Sequence, residues 1–312
     1  MMKAGTRLEK TLRAGQFALT VEVGPPRGPN PEDVLRKARL LKGIADGYNV
    51  TDNQTAVVRM SSIAGARLLL EAGCEPIMQM TCRDRNRIAL QSDLLGAWAL
   101  GMRNCLCISG DHQKASASGK LKGDPGAKNV FDVDSMQLIS IMKNMRDAGV
   151  LASGDPLTQP APFFIGAAWT PFAPPEEFRV LRLAKKIEAG ADFIQTQAVF
   201  DMKRFATAVA AAQELGLTEK AAILAGIIVP KSARMLEYMN ANVPGVEVPD
   251  ALIKRMAAAK DQRQEGYQIT VELIQAARKI PGVKGVHLQA IESEEVLPEI
   301  IKSAGLLPRP QV

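Results

Sequence analysis

Short apolar runs alternate along this chain with longer stretches in which apolar residues recur at helical spacing. The runs Ala18–Val23, Gly47–Thr51, Pro76–Thr81, Asn104–Ser109, Phe163–Ala168, Phe193–Gln197, Ile223–Ile227 and Gly285–Ala290 are of strand length. Between them the periodicity predicts helices over Pro31–Ile44, Ala56–Ala72, Arg87–Leu100, Val133–Ala148, Pro175–Ala189, Met202–Leu215 and Lys231–Asn240, with a long final pair within Pro249–Arg278. Asn30 before Pro31 is a helix-start signal. Gly73, Gly101, Gly149, Gly190 and Gly216 each follow a helix where a left-handed residue is wanted.

Eight strand–helix units in succession imply a parallel sheet with helices outside it. Eight units, and the absence of a Gly-x-Gly-x-x-Gly turn after the first strand, favour a single (β/α)8 TIM barrel in the α/β class over an open doubly wound sheet. One domain over residues 1–312 is expected, with residues 1–15 an N-terminal extension or short helix. The Gly-, Ser-, Ala- and Lys-rich stretch Lys114–Lys128 follows the fourth strand and reads as a mobile loop over the active face.

Composition narrows the class. Apolar residues make up 46% of 312, enough for a large core without disulfide or metal staples. No run of about 18 uncharged apolar residues exists to cross a membrane, and the basic, polar start of the chain lacks a signal-peptide core. A net charge of +6 is spread thinly, and no Lys/Arg cluster interleaves with aromatics, which argues against nucleic acid and suits an anionic small ligand. Cys74, Cys82, Cys105 and Cys107 form no Cys-x-x-Cys pair and read as packed thiols, and two histidines, His112 and His287, make an all-protein zinc site improbable. A reduced, cytoplasmic protein follows as the expectation.

Candidate chemistry lies where a barrel puts it, at the carboxyl ends of strands. Glu22 interrupts an apolar run that Gly24-Pro25-Pro26-Arg27 then stops. Burial of that carboxyl raises its pKa and suits it to general acid work near neutrality, whereas a solvated strand end leaves it ordinary. Polar residues also end the second strand (Asn49 to Gln54), the third (Gln79 to Asp84), the fourth (Ser109 to His112) and the sixth (Gln195 to Gln197). Asp52, Asn53 and Asp84 read best as caps or turn residues. Together the ends describe a hydrogen-bonding pocket for a heteroaromatic ligand.

These motifs, in this order, resemble the methylenetetrahydrofolate reductase family. Thr20-Val21-Glu22-Val23-Gly24-Pro25-Pro26-Arg27 is similar to the family's first strand and turn. Asn49-Val50-Thr51, Met80-Thr81-Cys82, Ser109-Gly110-Asp111, the run Lys185 to Asp192 with Thr196-Gln197 and Phe200-Asp201, Ala225-Gly226-Ile227, and Val283 to His287 continue it, so that the likeness runs from about Phe17 to Leu307. The resemblance implies flavin-dependent reduction of 5,10-methylenetetrahydrofolate to 5-methyltetrahydrofolate. It implies Glu22 as general acid and Asp111 beside both flavin and pterin. It implies Thr51, Gln79, Ser109, Gly110, Asp111, Phe131, Trp169 and Lys186 along a flavin, FAD rather than FMN. Gln197 and Gln289 would join Glu22 and Asp111 on the folate.

The chain departs from the family pattern at Asp52 (a tyrosine), Gln79 (a histidine), Trp169 (a tyrosine), Ala173 (a histidine) and the stretch Leu288 to Ser293, which lacks the family's aromatics and arginine. The chain is similar to the branch of anaerobic one-carbon pathways in which the barrel receives electrons from a partner subunit carrying a metal or iron-sulfur centre, and self-association is also expected. Two other readings stay open on the residues alone: a pterin-binding barrel methyltransferase acting with a corrinoid protein, and a non-catalytic barrel subunit.

Overall fold

The apolar runs pair edge to edge in sequence order. In the computed structural model, which describes residues 2–112, 123–124 and 126–312, the strands are β1 (Ala18–Val23), β2 (Gly47–Val50), β3 (Pro76–Thr81), β4 (Asn104–Ile108), β5 (Phe164–Trp169), β6 (Phe193–Ala198), β7 (Ala222–Ile228) and β8 (Val283–Gln289). Every neighbouring pair is parallel, and β8 returns to β1 through Ala18↔Gly285 and Val21↔Leu288, so the sheet closes into the expected (β/α)8 barrel. The helices are α1 (Arg7–Arg13), α2 (Glu32–Leu41), α3 (Ser62–Glu71), α4 (Arg87–Ala99), α5 (Ser135–Asp147), α6 (Phe178–Ala189), α7 (Met202–Glu214), α8 (Leu217–Lys220), α9 (Ala233–Asn242), α10 (Asp250–Ala258), α11 (Gln262–Arg278) and α12 (Leu297–Ser303). Among the described residues no helix is long and apolar enough to cross a membrane.

Local chemistry explains where elements differ from the sequence reading. The helix expected from Ala56 begins only at Ser62. Asn53, Thr55 and Ala56 take positive φ (44°, 57° and 59°), Asn53 Oδ1 accepts from the Arg59 N–H (3.0 Å), and Ser61 caps the helix by accepting from Ala64 N (3.3 Å). The helix expected from Lys231 is displaced to Ala233 because Ser232 caps it. Asp134 and Gln137 form a reciprocal capping box on α5. The glycines after the five helices all have positive φ. The short helices α8 and α12 carry too few turns to show a period in the sequence. The stretch Lys114–Lys128 lies largely outside the described residues.

Strand alternation divides the barrel into an outer and an inner set. Leu19, Val21, Met78, Met80, Cys105, Cys107, Ile165, Ala167 and Ile194 pack under the helices. All four cysteines are buried and unpaired. The opposite parity fills the lumen in layers. Leu8 of α1 plugs the base against Ala18, Ile77, Leu106, Phe164, Phe193 and Leu224. Above this apolar floor sits a polar layer of Thr20, Asn49, Gln195 and His287, all buried. Asn49 on β2 and Gln195 on β6 are not neighbours in the sheet, yet Asn49 Nδ2 donates to Gln195 Oε1 (2.6 Å) and Gln195 Nε2 returns a bond to Asn49 Oδ1 (3.0 Å). The layer therefore spans the lumen.

Candidate active site

Continuing each strand by two residues places Glu22, Thr51, Thr81, Gln197 and Gln289 one level above that polar layer, at the carboxyl mouth of the barrel. Glu22 is 15% exposed. The Gln289 amide Nε2 donates to its Oε2 (3.3 Å), and His287 Nε2 lies 4.0 Å from the same oxygen. Burial pushes the Glu22 carboxyl up to about 7; the Glu294 charge adds to the effect, while Lys37, Arg59 and the Gln289 amide oppose it. Of the alternatives for Glu22 open in the sequence, its largely buried side chain favours the desolvated one.

Three charged residues, Lys37, Arg59 and Glu294, surround this carboxyl, and no local sequence signal marks them. Lys37 of α2 pairs with Glu294 in the turn before α12 and donates to the Gly24 carbonyl (3.2 Å). Arg59 Nη1 donates to the Pro25 carbonyl (3.1 Å). Glu22, Lys37, Gln54, Arg59 and Glu294 line a cavity of about 40 Å³, room for little more than a water-sized group. Thr51 Oγ1, Gln54 Oε1 and Arg59 Nε are buried with no partner among the described residues.

The fourth strand delivers Ser109, Gly110 and Asp111. Gly110 has φ +88°, and a Cβ there would stand 3.0 Å from Arg83 Cβ and 3.2 Å from Thr81 Cβ, so glycine alone fits the turn. Arg83 is the clamp that shapes it. Buried to 2%, it donates to the carbonyls of Asp111 (3.2 Å) and Asn53 (3.0 Å) and pairs with Asp84 (2.7 Å). Asp111 itself is exposed. Ser109 Oγ accepts from Ser135 N (3.4 Å), and Gln79 is buried in β3. Phe131 is 38% exposed, takes a positive φ of 42° and stacks on His112 at 6.4 Å.

Two expected residues, Trp169 and Lys186, lie on the helix side and stand apart from the rest. Trp169 has the parity of Ile165 and Ala167, so it is buried on the helix side, where its indole N–H donates to the Arg179 carbonyl (3.0 Å). Lys186 of α6 donates to the Ala168 carbonyl, and burial lowers its ammonium pKa against the opposing pull of Asp134 and Cys107. Gln197 faces the mouth with its Oε1 accepting from Ala198 N (3.0 Å). Asp52, read as a cap or turn residue, is a buried strut: its Oδ2 accepts from Thr81 N (2.9 Å) and Thr81 Oγ1 (3.0 Å) and pairs with Arg85 (2.7 Å).

Comparison with known proteins adds to this geometry. Residues 7–305 match the family model described as methylenetetrahydrofolate reductase. The chain is 24% identical to a probable methylenetetrahydrofolate reductase (NADPH) of Caenorhabditis elegans, over 96% of this chain and 44% of that one, so it spans less than half the length of that relative. It is 21% identical to the 5,10-methylenetetrahydrofolate reductase of Pectobacterium carotovorum subsp. carotovorum, over 94% of this chain and 92% of that one. A solved structure of similar fold is an uncharacterized Clostridium thermocellum protein that binds two copies of 5-methyl-5,6,7,8-tetrahydrofolic acid, with TM-score 0.64 and 15% identity over 96% of this chain and 97% of that one.

Proposed function

The chain belongs to the methylenetetrahydrofolate reductase family, and from that premise we propose that it reduces 5,10-methylenetetrahydrofolate to 5-methyltetrahydrofolate. The observation that carries the reading is Glu22: a barrel-mouth carboxyl whose pKa of about 7 keeps much of it protonated near neutrality. The methylene carbon of the substrate is held between two nitrogens. Opening that ring requires a proton on the leaving nitrogen, and in this reading Glu22 gives it. Gln289, which already bonds Glu22, and Gln197 at the same level orient the folate by hydrogen bonds. Asp111 stabilises the cationic one-carbon unit that ring opening exposes.

Two features of the mouth fit a flavin. Gly110 offers bare backbone where a side chain has no room, and Thr51 Oγ1 is a buried hydroxyl without a partner among the described residues. Thr51, Gln79, Ser109, Gly110, Asp111 and Phe131 are the residues proposed to hold it, with Lys186 and Trp169 supporting that side from the helix layer. A bound flavin, FAD on the family likeness, supplies the hydride. The exchange of family aromatics for Leu288 to Ser293, and of a histidine for Gln79, supports electron delivery by a partner subunit with a metal or iron-sulfur centre in preference to direct use of NADH.

The test is spectroscopic. The purified chain is expected to be yellow or to take up FAD or FMN. Its reduced flavin is expected to be reoxidised by methylenetetrahydrofolate and to be formed only slowly by NADH in stopped-flow mixing. A protein that binds neither flavin overturns the reading, and rapid bleaching by NADH overturns the partner.

A further inference from the structure

The polar layer below Glu22 has a direction. Gln195 Nε2 spends one N–H on Asn49 Oδ1 (3.0 Å) and the other on Thr20 Oγ1 (3.0 Å). Thr20 Oγ1 thus accepts a hydrogen bond from Gln195 of β6 and keeps its own hydroxyl hydrogen to donate. His287 Nδ1 lies 3.0 Å away. A hydroxyl that donates to Nδ1 leaves the imidazole proton on Nε2, and Nε2 is the atom 4.0 Å from Glu22 Oε2.

We propose that His287 is the positioning residue for Glu22: a neutral imidazole, fixed by Thr20 as the Nε2–H tautomer, that turns its N–H toward the carboxylate left when Glu22 gives up its proton. Asn49, Gln195 and Thr20 form a hydrogen-bonded chain across the barrel whose end fixes the polarity of His287. Burial favours the neutral ring, pushing the imidazole pKa down to about 3 with only the Thr20 backbone opposing. A neutral N–H dipole helps the charged form of Glu22 without the cost of a second buried charge. Glu22 is also faced by Gln289 on the same strand as His287, by Lys37, by Arg59 and by Glu294. These set its acidity jointly, and His287 is the contributor from beneath.

The inference rests on the acid role proposed for Glu22, and its test separates the two. The chain holds two histidines, so long-range ¹⁵N–¹H spectra of the labelled full chain contain two ring systems, assigned with His287→Gln. The His287 ring is expected to stay in the neutral Nε2–H form from pH 5 to 8, and Thr20→Val is expected to release it to a mixture of tautomers. The ¹³C carboxyl signal of Glu22, identified by its loss in Glu22→Gln, is expected to titrate near 7. Its midpoint should rise by about one pH unit in His287→Met, the size of a weak contact to a charged group. His287→Gln puts an amide N–H near the lost one and should restore most of the difference. Should His287→Met fail to fold, Thr20→Val and His287→Gln still carry the comparison. An Nδ1–H ring, an imidazolium above pH 5, or a Glu22 midpoint unmoved by losing the N–H overturns the proposal. If the midpoint moves but the pH profile of flavin reoxidation by methylenetetrahydrofolate does not follow it, the positioning stands and the acid role of Glu22 falls.

Discussion

The two ends of the barrel treat buried polar groups in opposite ways. At the amino-terminal end Asp46 accepts from Leu19 N (2.9 Å) and Arg7 Nε (3.2 Å) and pairs with Arg309. Asp192 accepts from Ile165 N (2.8 Å) and pairs with Arg146 (2.7 Å) and Lys3. Burial alone would raise the Glu9 carboxyl, but the N–H groups of Ala4, Lys3 and Gly5 and the Arg13 guanidinium bring it below its ordinary value. At the carboxyl end Glu22 is raised, and a threonine hydroxyl, a glutamine oxygen and an arginine N–H close to it lack partners among the described residues. Thr11 and Asn104 leave one neutral atom each at the base, whereas the set at the mouth includes a cation and lies beside the cavity. The base satisfies most of its buried charge, Glu75 being the exception raised there by burial, and ties Lys3 and Arg309 to the barrel; the mouth leaves more hydrogen-bonding capacity unused.

The comparison breaks first at the base. Asp46→Ala leaves Arg309, itself buried, without its carboxylate, and removal of one partner of a buried pair typically costs about 3–5 kcal/mol. Urea unfolding is expected to show a loss of that size with flavin content per folded molecule unchanged. A loss below about 1 kcal/mol would mean that the base network is ornamental.

At the mouth the expected effect falls on rate. Glu22→Gln should slow the folate half-reaction by ~10²-fold or more, while flavin reduction by an artificial donor stays near the wild-type rate because no folate proton is involved. Wild-type reoxidation in the variant would sink the mechanism and leave the family assignment untouched.

The same residue should set a pH dependence of stability. The Glu22 carboxyl is raised from 4.5 to about 7 on folding, so the native state binds more protons between those values. Its contribution to stability is present in full below pH 4.5 and is lost as pH rises through 7, on the order of 3 kcal/mol in all. His287, lowered from 6.5 to about 3, runs the other way: its contribution is full above 6.5 and is lost as pH falls through 3. Subtracting the unfolding curve of Glu22→Gln isolates the first term. The variant should gain on wild type as pH rises from 5 to 8, and a flat difference would show that Glu22 is not desolvated.

What was legible in the sequence follows from this division. Strands announce themselves by parity, so the run around Glu22, with Val21 and Val23 turned under the helices, identified both the strand and the residue that breaks it. Gly110 and Asp111 were legible for the same reason, as polar punctuation after an apolar strand. Trp169 was legible as an aromatic but not as a helix-side one, since its face depends on where the strand's parity begins. The pairs Lys37–Glu294 and Asp46–Arg309 join residues 257 and 263 positions apart, and no local pattern encodes such closure. His287 was visible within a strand motif, but the role proposed for it depends on bonds to β1 and, through Thr20, to β6.

The smallest expected effect sharpens the comparison most. Thr51 is 3% exposed, and its hydroxyl has no partner among the described residues. A buried hydroxyl that makes no bond costs desolvation, so Thr51→Val, which exchanges it for a methyl of similar size, should leave the flavin-free chain as stable as wild type or more stable by up to about 1 kcal/mol. The same change removes a donor and acceptor that the proposed flavin would use. Flavin affinity, measured by fluorescence quenching on titration, should fall by roughly tenfold, the worth of one good hydrogen bond. The two measurements move in opposite directions only if the mouth holds hydrogen-bonding capacity in reserve for its ligand. Loss of stability in the flavin-free protein would instead mean that Thr51 belongs with the self-satisfied groups of the base, and that its hydroxyl serves the fold.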